Sequence, residues 1–331
     1  MTDLSIIVVS YKGWGRLTKC LEALDSFTGK NFTTEVIIVD NRSEDGIILK
    51  IIEKFPKFMF IHNKVNGGFA NGCNLGSKST AGEFLLFLNP DTIASESKVE
   101  QLLNIAKKNP SFGVVSCRQV NEKGKESIAS GPFPMLWNLT GFQRAIFGGR
   151  NSDDYSRKPQ ASSRVPEISF PDWISGSVVL MRKELFQKIH GFDEDFWMYY
   201  EDVDLCRRVR NISLKVACCR NIIIEHNHGG SSRINLATAS LTKTEVHISR
   251  HLYISKHKTG LERILIQTFL VINNLISGGL MAFLGLVVFF VPKLFARSII
   301  FFRLIRYYAG SVFRQSWISP RSVNSRITNL G

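Results

Sequence analysis

Between Leu4 and Val120 the chain repeats one pattern: a short, fully apolar, β-branched run followed by a segment with helical spacing. LSIIVVSY precedes GRLTKCLEALDSF, where Leu17, Cys20, Leu21 and Leu24 recur at helical intervals. TEVIIVDN precedes DGIILKIIEKF, FMFIHN precedes the glycine-rich GGFANGCNLGSKS, and EFLLFLNPDT precedes SESKVEQLLNIAKKNP, with FGVVSCRQV closing the series. An apolar run without polar alternation reads as a strand buried on both faces, and such strands alternating with helices predict a doubly wound, Rossmann-like α/β sheet. In that architecture ligands bind at the carboxyl ends of the strands. Those ends here carry Ser10 and Tyr11, Asp40 and Asn41, Asn63, and Asn89 with Asp91.

The remaining chain divides by charge. From Lys243 onward twelve Lys or Arg face two acids, Glu245 and Glu262, so this tail carries +10 of the net +14. It also holds an uncharged apolar run, residues 264–291, longer than the ~20 residues a membrane-spanning helix needs, with basic residues on both flanks that favour a cytoplasmic side. Asn273, Asn274, Gly278 and Gly279 interrupt its middle, so a re-entrant or interfacial helical hairpin is expected rather than a single crossing. The following FARSIIFFRLIRYY reads as a membrane-surface helix using Arg against anionic head groups. Basic charge placed on an apolar run excludes nucleic acid as the partner. The six scattered cysteines show no metal spacing and fit a reducing compartment, and MTDLSIIVVSYK is not a secretory signal, so the catalytic part is expected in the cytoplasm. Residues 1–260 are expected to form the catalytic domain, a donor half to about 120 and an acceptor half after it, and residues 261–331 the membrane-associating tail.

The chemistry concentrates between Trp173 and Arg208, where seven carboxylates lie among aromatics. Rings that stack on C–H faces and acids that accept from hydroxyls suit a saccharide, which nominates Trp173, Phe192, Phe196, Trp197, Tyr199 and Tyr200 beside Asp193, Asp195, Glu201 and Asp202. Glu201 and Asp202 open EDVDLCRRVRN, read as a helix, whose positive end keeps carboxylates ionised and able to take a proton from a hydroxyl. A carboxylate leaving a strand end, Asp91, can hold a divalent cation on a diphosphate, although NPDT reads equally as a turn. His226 and His228 lie two apart on an extended chain and point the same way, as metal ligands can; a solvated loop pair is the alternative. His190, His247, His251 and His257 read as structural or membrane-surface residues. Asp40 can contact a nucleobase or cap a helix, and Gly67, Gly68, Gly72 and Gly76 allow close backbone approach to a pyrophosphate. Residues 131–166 lack periodicity and read as a long loop or lid, and LKVACCRNIIIEH reads as a final strand pair.

LSIIVVSY, VIIVDNRSEDG, NGGFANGCNLG, FLLFLNPDT, the 173–208 segment and HNHGGSS, in this order, resemble the family 2 glycosyltransferases of the GT-A fold, particularly the rhamnosyltransferase-like branch of bacterial polysaccharide synthesis. The resemblance covers about residues 4–260. It implies an inverting transfer, including rhamnosyl transfer, from a nucleotide-diphosphate sugar to a hydroxyl of a lipid-linked or cell-surface glycan. It further implies Mg²⁺ or Mn²⁺ as cofactor, a polyprenyl-linked acceptor and the cytoplasmic face of the bacterial inner membrane. By position, Asp202 matches the base, with Glu201 beside it; Asp91 matches the last acid of the metal motif, with His226 near the diphosphate and His228 without a clear counterpart. Ser10, Tyr11 and Asp40 match the base-contacting pocket, the Asn66–Asn74 segment, with Asn66, Gly67, Gly68 and Asn74, lies beside the donor, and Asn89 stands where many relatives carry an aspartate. Trp173, Gly176, Asp193, Trp197 and Tyr200 are expected on the acceptor side. Ser213 stands near a glycine of relatives. The alternatives are a polyprenyl-phosphate glycosyltransferase, whose ionised acceptor needs no base, and a noncatalytic membrane scaffold.

Overall fold

The computed structural model describes residues 2–135, 139, 167–227 and 235–327. These form two compact units: the described residues of Met1–Phe133, Phe147–Asp193 and Asp202–Ser231, and those of Pro134–Ile146, Glu194–Glu201 and Ser232–Gly331. Packing therefore draws its line elsewhere than the 260/261 division expected from the sequence. Most of the expected lid, and His228, lie outside the described residues.

In the first unit the alternating pattern folds as read. Strand β1 (Leu4–Ser10), helix α1 (Trp14–Asp25), β2 (Thr34–Asp40), α2 (Ile47–Lys54), β3 (Met59–His62), α3 (Gly68–Ser77), β4 (Phe84–Leu88), the short β5 (Thr92–Ile93), α4 (Glu96–Lys108) and β6 (Phe112–Val120) follow in order. Then come β7 (Ser130–Gly131), β8 (Ile168–Ser169), β9 (Trp173–Ile174), β10 (Val178–Arg182), α5 (Lys183–Lys188), α6 (Glu201–Asn211) and β11 (Lys215–His226). The main sheet runs β3-β2-β1-β4-β10-β6-β11-β5, with β8 on β11. β1 is parallel to β2 and β4, and β6 to β11, whereas β10 is antiparallel to both its neighbours. Every residue of β1 and β4 is buried, which explains their unbroken apolar runs.

Two features of this sheet position a site. Strand order reverses between β1 and β4, so Ser10, Asp40 and the residues after Leu88 surround a topological switch point. Antiparallel pairing of Val178 with Leu88 then sets the residues before β10 beside those after β4. The expected final strand pair is a single strand, β11, whose register against β6 slips between Cys219 and Ile223. Cys117 pairs with Cys219 but Arg118 with Ile223, so three residues bulge out. Side chains alternate with period two, and an odd insertion moves all that follow to the other face. The bulge thus sets His226 on the face of Gln119, which pairs with Ile224.

The second unit holds helices α7 (Leu236–His257), α8 (Gly260–Val287), α9 (Pro292–Arg314) and α10 (Val323–Ile327). The expected break within 264–291 does not occur, and α8 runs through Asn273, Asn274, Gly278 and Gly279. Asn274 keeps its amide bonded by donating Nδ2–H to Tyr308 Oη at 2.7 Å, and the glycines leave room for the Phe301 ring. The hairpin forms instead between α8 and α9: a side chain at Gly285 would sit 2.3 Å from the Leu294 carbonyl oxygen, and Ser298 Oγ donates to Ala282 O at 2.7 Å. Phe196 and Trp197 pack in this unit, under Lys256 and Arg321 respectively.

Candidate active site

The turn Ser175-Gly176-Ser177, between β9 and β10, is the junction of the site. On one side the Gly176 N–H donates to Asp202 Oδ2 at 2.8 Å, while Asp202 Oδ1 accepts from the Val203 N–H at 2.8 Å. On the other, Ser177 is 1% exposed and its Oγ donates to Gln119 Oε1 at 2.7 Å. That same oxygen lies 2.7 Å from His226 Nδ1, and His226 Nε2 lies 3.2 Å from Asp91 Oδ1. The Asn89 N–H donates to Ser177 O at 3.0 Å, and Asn89 Nδ2 stands 3.5 Å from His226 Nε2. Arg16 Nη1, from α1, is 3.7 Å from Asp91 Oδ2. Pairing of Thr92 with His226 across β5 and β11 is what brings Asp91 to the imidazole.

The turn packs closely at Gly176: a Cβ there would stand 3.2 Å from the Phe69 ring and 3.6 Å from Asp202 Oδ2. Burial raises the Asp202 pKa, and the N–H donors from Gly176 and Val203 oppose that rise. A carboxylate so held prefers a proton more than an ordinary aspartate does, which is the property of a general base. Just before it, Tyr199 and Tyr200 adopt φ of 69° and 68°. Two consecutive non-glycine residues in the left-handed region store strain of the kind found at functional turns.

The residues present fit a divalent cation held largely by its substrate. With Nδ1–H donating to Gln119 Oε1, His226 Nε2 and Asp91 Oδ1 are two electron-rich atoms converging at 3.2 Å, an arrangement that accepts a positive centre. Among the described residues no third His, Cys, Asp or Glu joins them. A cation held there would take its other ligands from diphosphate and water, as Mg²⁺ commonly does.

The donor-side expectations divide. Ser10, at 0% exposure, pairs with Asp40 across β1 and β2. Asp40 is 2% exposed and accepts from Ser43 Oγ and Ser43 N–H, with His62 Nδ1 at 2.9 Å, so its carboxylate organises the β2–α2 connection. The Tyr11 ring is half-buried under Lys12 Nζ at 5.4 Å. Asn66 Oδ1 accepts from Asn41 and from the Gly68 N–H, and Asn41 and Asn71 accept from Asn63, an asparagine network that closes the ends of β2 and β3. A side chain at Gly67 would overlap Asn71 at 2.2 Å, and Gly68 has φ of 85°, so both glycines serve this turn. Asn74 lies apart from that group: it donates to Phe192 O at 2.8 Å and accepts from the Phe192 N–H at 2.9 Å, clamping a turn.

The acceptor-side aromatics are mostly packing residues. Phe192 is 1% exposed among Phe69, Phe87 and Phe186, and Phe196 is 0% exposed. Trp197 is 6% exposed with the Arg321 guanidinium 5.8 Å from its ring centre, so these rings offer no open stacking face. Trp173 donates Nε1–H to Pro132 O at 2.8 Å and lies against Gly131. Tyr200 accepts from Arg250 Nε at 3.0 Å and packs on Tyr253. Asp193 is half-buried, Glu201 is buried at 6% exposure, and Ser213, at φ 63°, holds the left-handed turn that glycine favours. Gln119, Ser177 and Arg16 were not legible as site residues.

Comparison with known proteins decides the family, since the profile of Glycosyl transferase family 2 matches residues 5–204. The chain belongs to family 2 of the glycosyltransferases. An N-acetylglucosaminyl-diphospho-decaprenol L-rhamnosyltransferase of Mycobacterium tuberculosis is 27% identical over 226 residues, 63% of this chain and 71% of that protein. A rhamnosyltransferase, WbbL, of Escherichia coli K12 is 26% identical over 213 residues, 62% of this chain and 75% of its own length. The solved structure of GalNAc-T7 with UDP, GalNAc and Mn²⁺ superposes with a TM-score of 0.52 at 14% identity, covering 83% of this chain but only 55% of that one. This likeness shows the fold, GT-A with a mixed sheet. The enzyme is therefore a family 2 glycosyltransferase, and these two relatives are named rhamnosyltransferases.

Proposed function

We propose that this enzyme is an inverting transferase moving a sugar, L-rhamnose by its relatives' names, from a nucleoside-diphosphate donor to a hydroxyl of a polyprenyl-linked glycan. One observation carries the reading: the 175–177 turn holds Asp202 by Gly176 and, through Ser177 and Gln119, orients His226 against Asp91. Asp202 takes the proton of the acceptor hydroxyl as its oxygen bonds to the anomeric carbon. The glycosyl–phosphate C–O bond breaks, and its electron pair leaves with the nucleoside diphosphate. Asp91 Oδ1 and His226 Nε2 are the atoms that would hold Mg²⁺ or Mn²⁺, which when bound supplies positive charge for that leaving group. His228 as a further ligand lies outside the described residues. A single base suffices because the leaving group departs as a stabilised anion, whereas glycoside hydrolysis uses two carboxyl groups.

Ser10, Tyr11 and Asp40 stand at the switch point as the donor pocket, and residues 1–260 supply the catalytic chemistry. The apolar, basic tail keeps the enzyme at the cytoplasmic face of the bacterial inner membrane, where a lipid-linked acceptor is found. Replacing Asp202 with Asn tests the base: sugar transfer should collapse while nucleotide binding persists. An active Asp202→Asn enzyme would favour an already ionised polyprenyl-phosphate acceptor.

A further inference from the structure

Helix α8 is long and apolar enough to cross a membrane, yet only 22% of its most apolar 18-residue window is buried. A soluble core helix would be covered. Its outer face carries Ile276, Leu280 and Phe283 at 70%, 63% and 64% exposure, continued by Phe290 at 72% and, on α9, Phe313 at 88%. Two of its polar residues, Gln267 and Asn274, are turned inward, while Thr268, Asn273 and Ser277 stay exposed. Gln267 donates Nε2–H to His251 O at 2.8 Å and accepts at His251 Nδ1, while Asn274 meets Tyr308 Oη, itself 2.9 Å from His251 Nε2. The outer face is thereby mostly apolar, with Asn273 and Ser277 exposed beside Ile276 and Leu280, polar groups that suit an interfacial depth better than the hydrocarbon centre.

Helix α9 decides how that surface meets lipid. It runs back along α8, with Leu294 at Gly285, Ser298 at Ala282, Phe301 at Gly278 and Tyr308 at Asn274. Arg306, exposed, therefore lies level with the middle of α8, and Lys293 and Arg297, also exposed, lie nearer its end. Were α8 to cross a bilayer, α9 would cross with it and carry Arg306 into the hydrocarbon centre, where an exposed guanidinium is strongly disfavoured. A hairpin lying flat keeps all three cations within reach of phosphate head groups, Lys293 and Arg297 on one side of α9 and Arg306, nine residues on, on the other.

We propose that the α8–α9 hairpin docks in the plane of an anionic bilayer, its apolar face in one leaflet, without crossing. This rests on the reading of the acceptor as lipid-linked for its purpose, but its test needs no sugar. All six native cysteines are buried, so a single introduced thiol on the full chain reports its own surroundings. Spin labels on Ile276→Cys, Leu280→Cys and Phe290→Cys, with the chain added to preformed phosphatidylcholine/phosphatidylglycerol vesicles, should all read one shallow depth, roughly 5–10 Å below the head groups. Arg297→Gln with Arg306→Gln should weaken partitioning into those vesicles about 25-fold, roughly 5-fold per cation, and leave binding to pure phosphatidylcholine unchanged.

Depth that increases steadily along α8 and carries the Phe290→Cys label to the far leaflet would overturn the flat dock. So would failure to bind vesicles accompanied by a stable dimer in size-exclusion chromatography, which would assign the apolar face to a second copy. Sugar transfer to a water-soluble acceptor, measured in parallel, reads the catalytic proposal separately: its persistence without vesicle binding rejects the dock alone.

Discussion

Replacing Gln119 with Leu removes the one acceptor shared by two buried donors, Ser177 Oγ–H and His226 Nδ1–H, both within 2.7 Å of Gln119 Oε1. Ser177 Oγ keeps Ser175 Oγ at 3.0 Å as a second partner, so the loss falls mainly on the His226 donor and costs about 1–3 kcal/mol. The Gln119 Nε2 amide is itself buried without a hydrogen bond, and removing it returns about 1–2 kcal/mol of that loss. A net destabilisation of at most about 2 kcal/mol should lower Tm by about 2–4 °C per kcal/mol in a unit of this size. The functional effect should be larger in kind. With His226 free to rotate, Mn²⁺-dependent binding of nucleoside diphosphate should weaken about 10–100-fold, as for loss of a residue that orients a metal-ligating histidine. Calorimetric titration of UDP with Mn²⁺, beside thermal melts, separates the two. Gln119→Glu keeps the shared acceptor and should recover most of the affinity. Gln119→Leu with a normal Tm deficit but unchanged Mn²⁺–nucleotide affinity would refute the orienting role.

Further outcomes follow from the same geometry. Gly176→Ala forces the Phe69 ring to give by a few tenths of an ångström while Asp202 stays in ordinary contact, so thermal melts should show a loss below about 3 kcal/mol; an unfolded variant would contradict that close but tolerable fit. Because burial raises the Asp202 pKa, kcat/KM should decline as pH falls through a value above the ordinary ~3.9 of aspartate; a pH–rate profile flat down to that value would remove Asp202 as the titrating base. By linkage the same raised carboxyl contributes stability at low pH that is lost as pH rises through its folded pKa. His247 and His251 are both pushed down to about 4 by burial, so they contribute stability above their ordinary 6.5 that is lost as pH falls toward about 4. Helicity followed from neutral to acid pH should show that slope, and the His247→Gln/His251→Gln chain should flatten it.

The parallel half of the sheet was legible because strands buried on both faces announce themselves as apolar runs, as in LSIIVVS and FLLFL. Ordered motifs marked Asp91, Asp202 and His226 as candidates, and the fold sets Asp91 beside His226. Gln119 was not, since its importance depends on the three-residue bulge in β11 that turns His226 to its face, and nothing in KVACCRNIIIEH marks an odd insertion. The aromatics between Phe192 and Trp197 suited a sugar cleft and a core equally by composition, and burial gives them to the core. Asn273, Asn274, Gly278 and Gly279 suggested a break because polar and small residues inside an apolar run usually mark one. In the fold Asn274 has Tyr308 and the glycines have Phe301, so the interruption became a packing seam.

The central claim is that Asp202 deprotonates the acceptor hydroxyl. Single-turnover transfer by Asp202→Asn, with a nucleoside-diphosphate L-rhamnose donor and a polyprenyl-diphosphate-linked acceptor, measures it most directly. The rate should fall about 10²–10⁴-fold below wild type with donor affinity preserved. Transfer at the wild-type rate by the folded Asp202→Asn enzyme would contradict it.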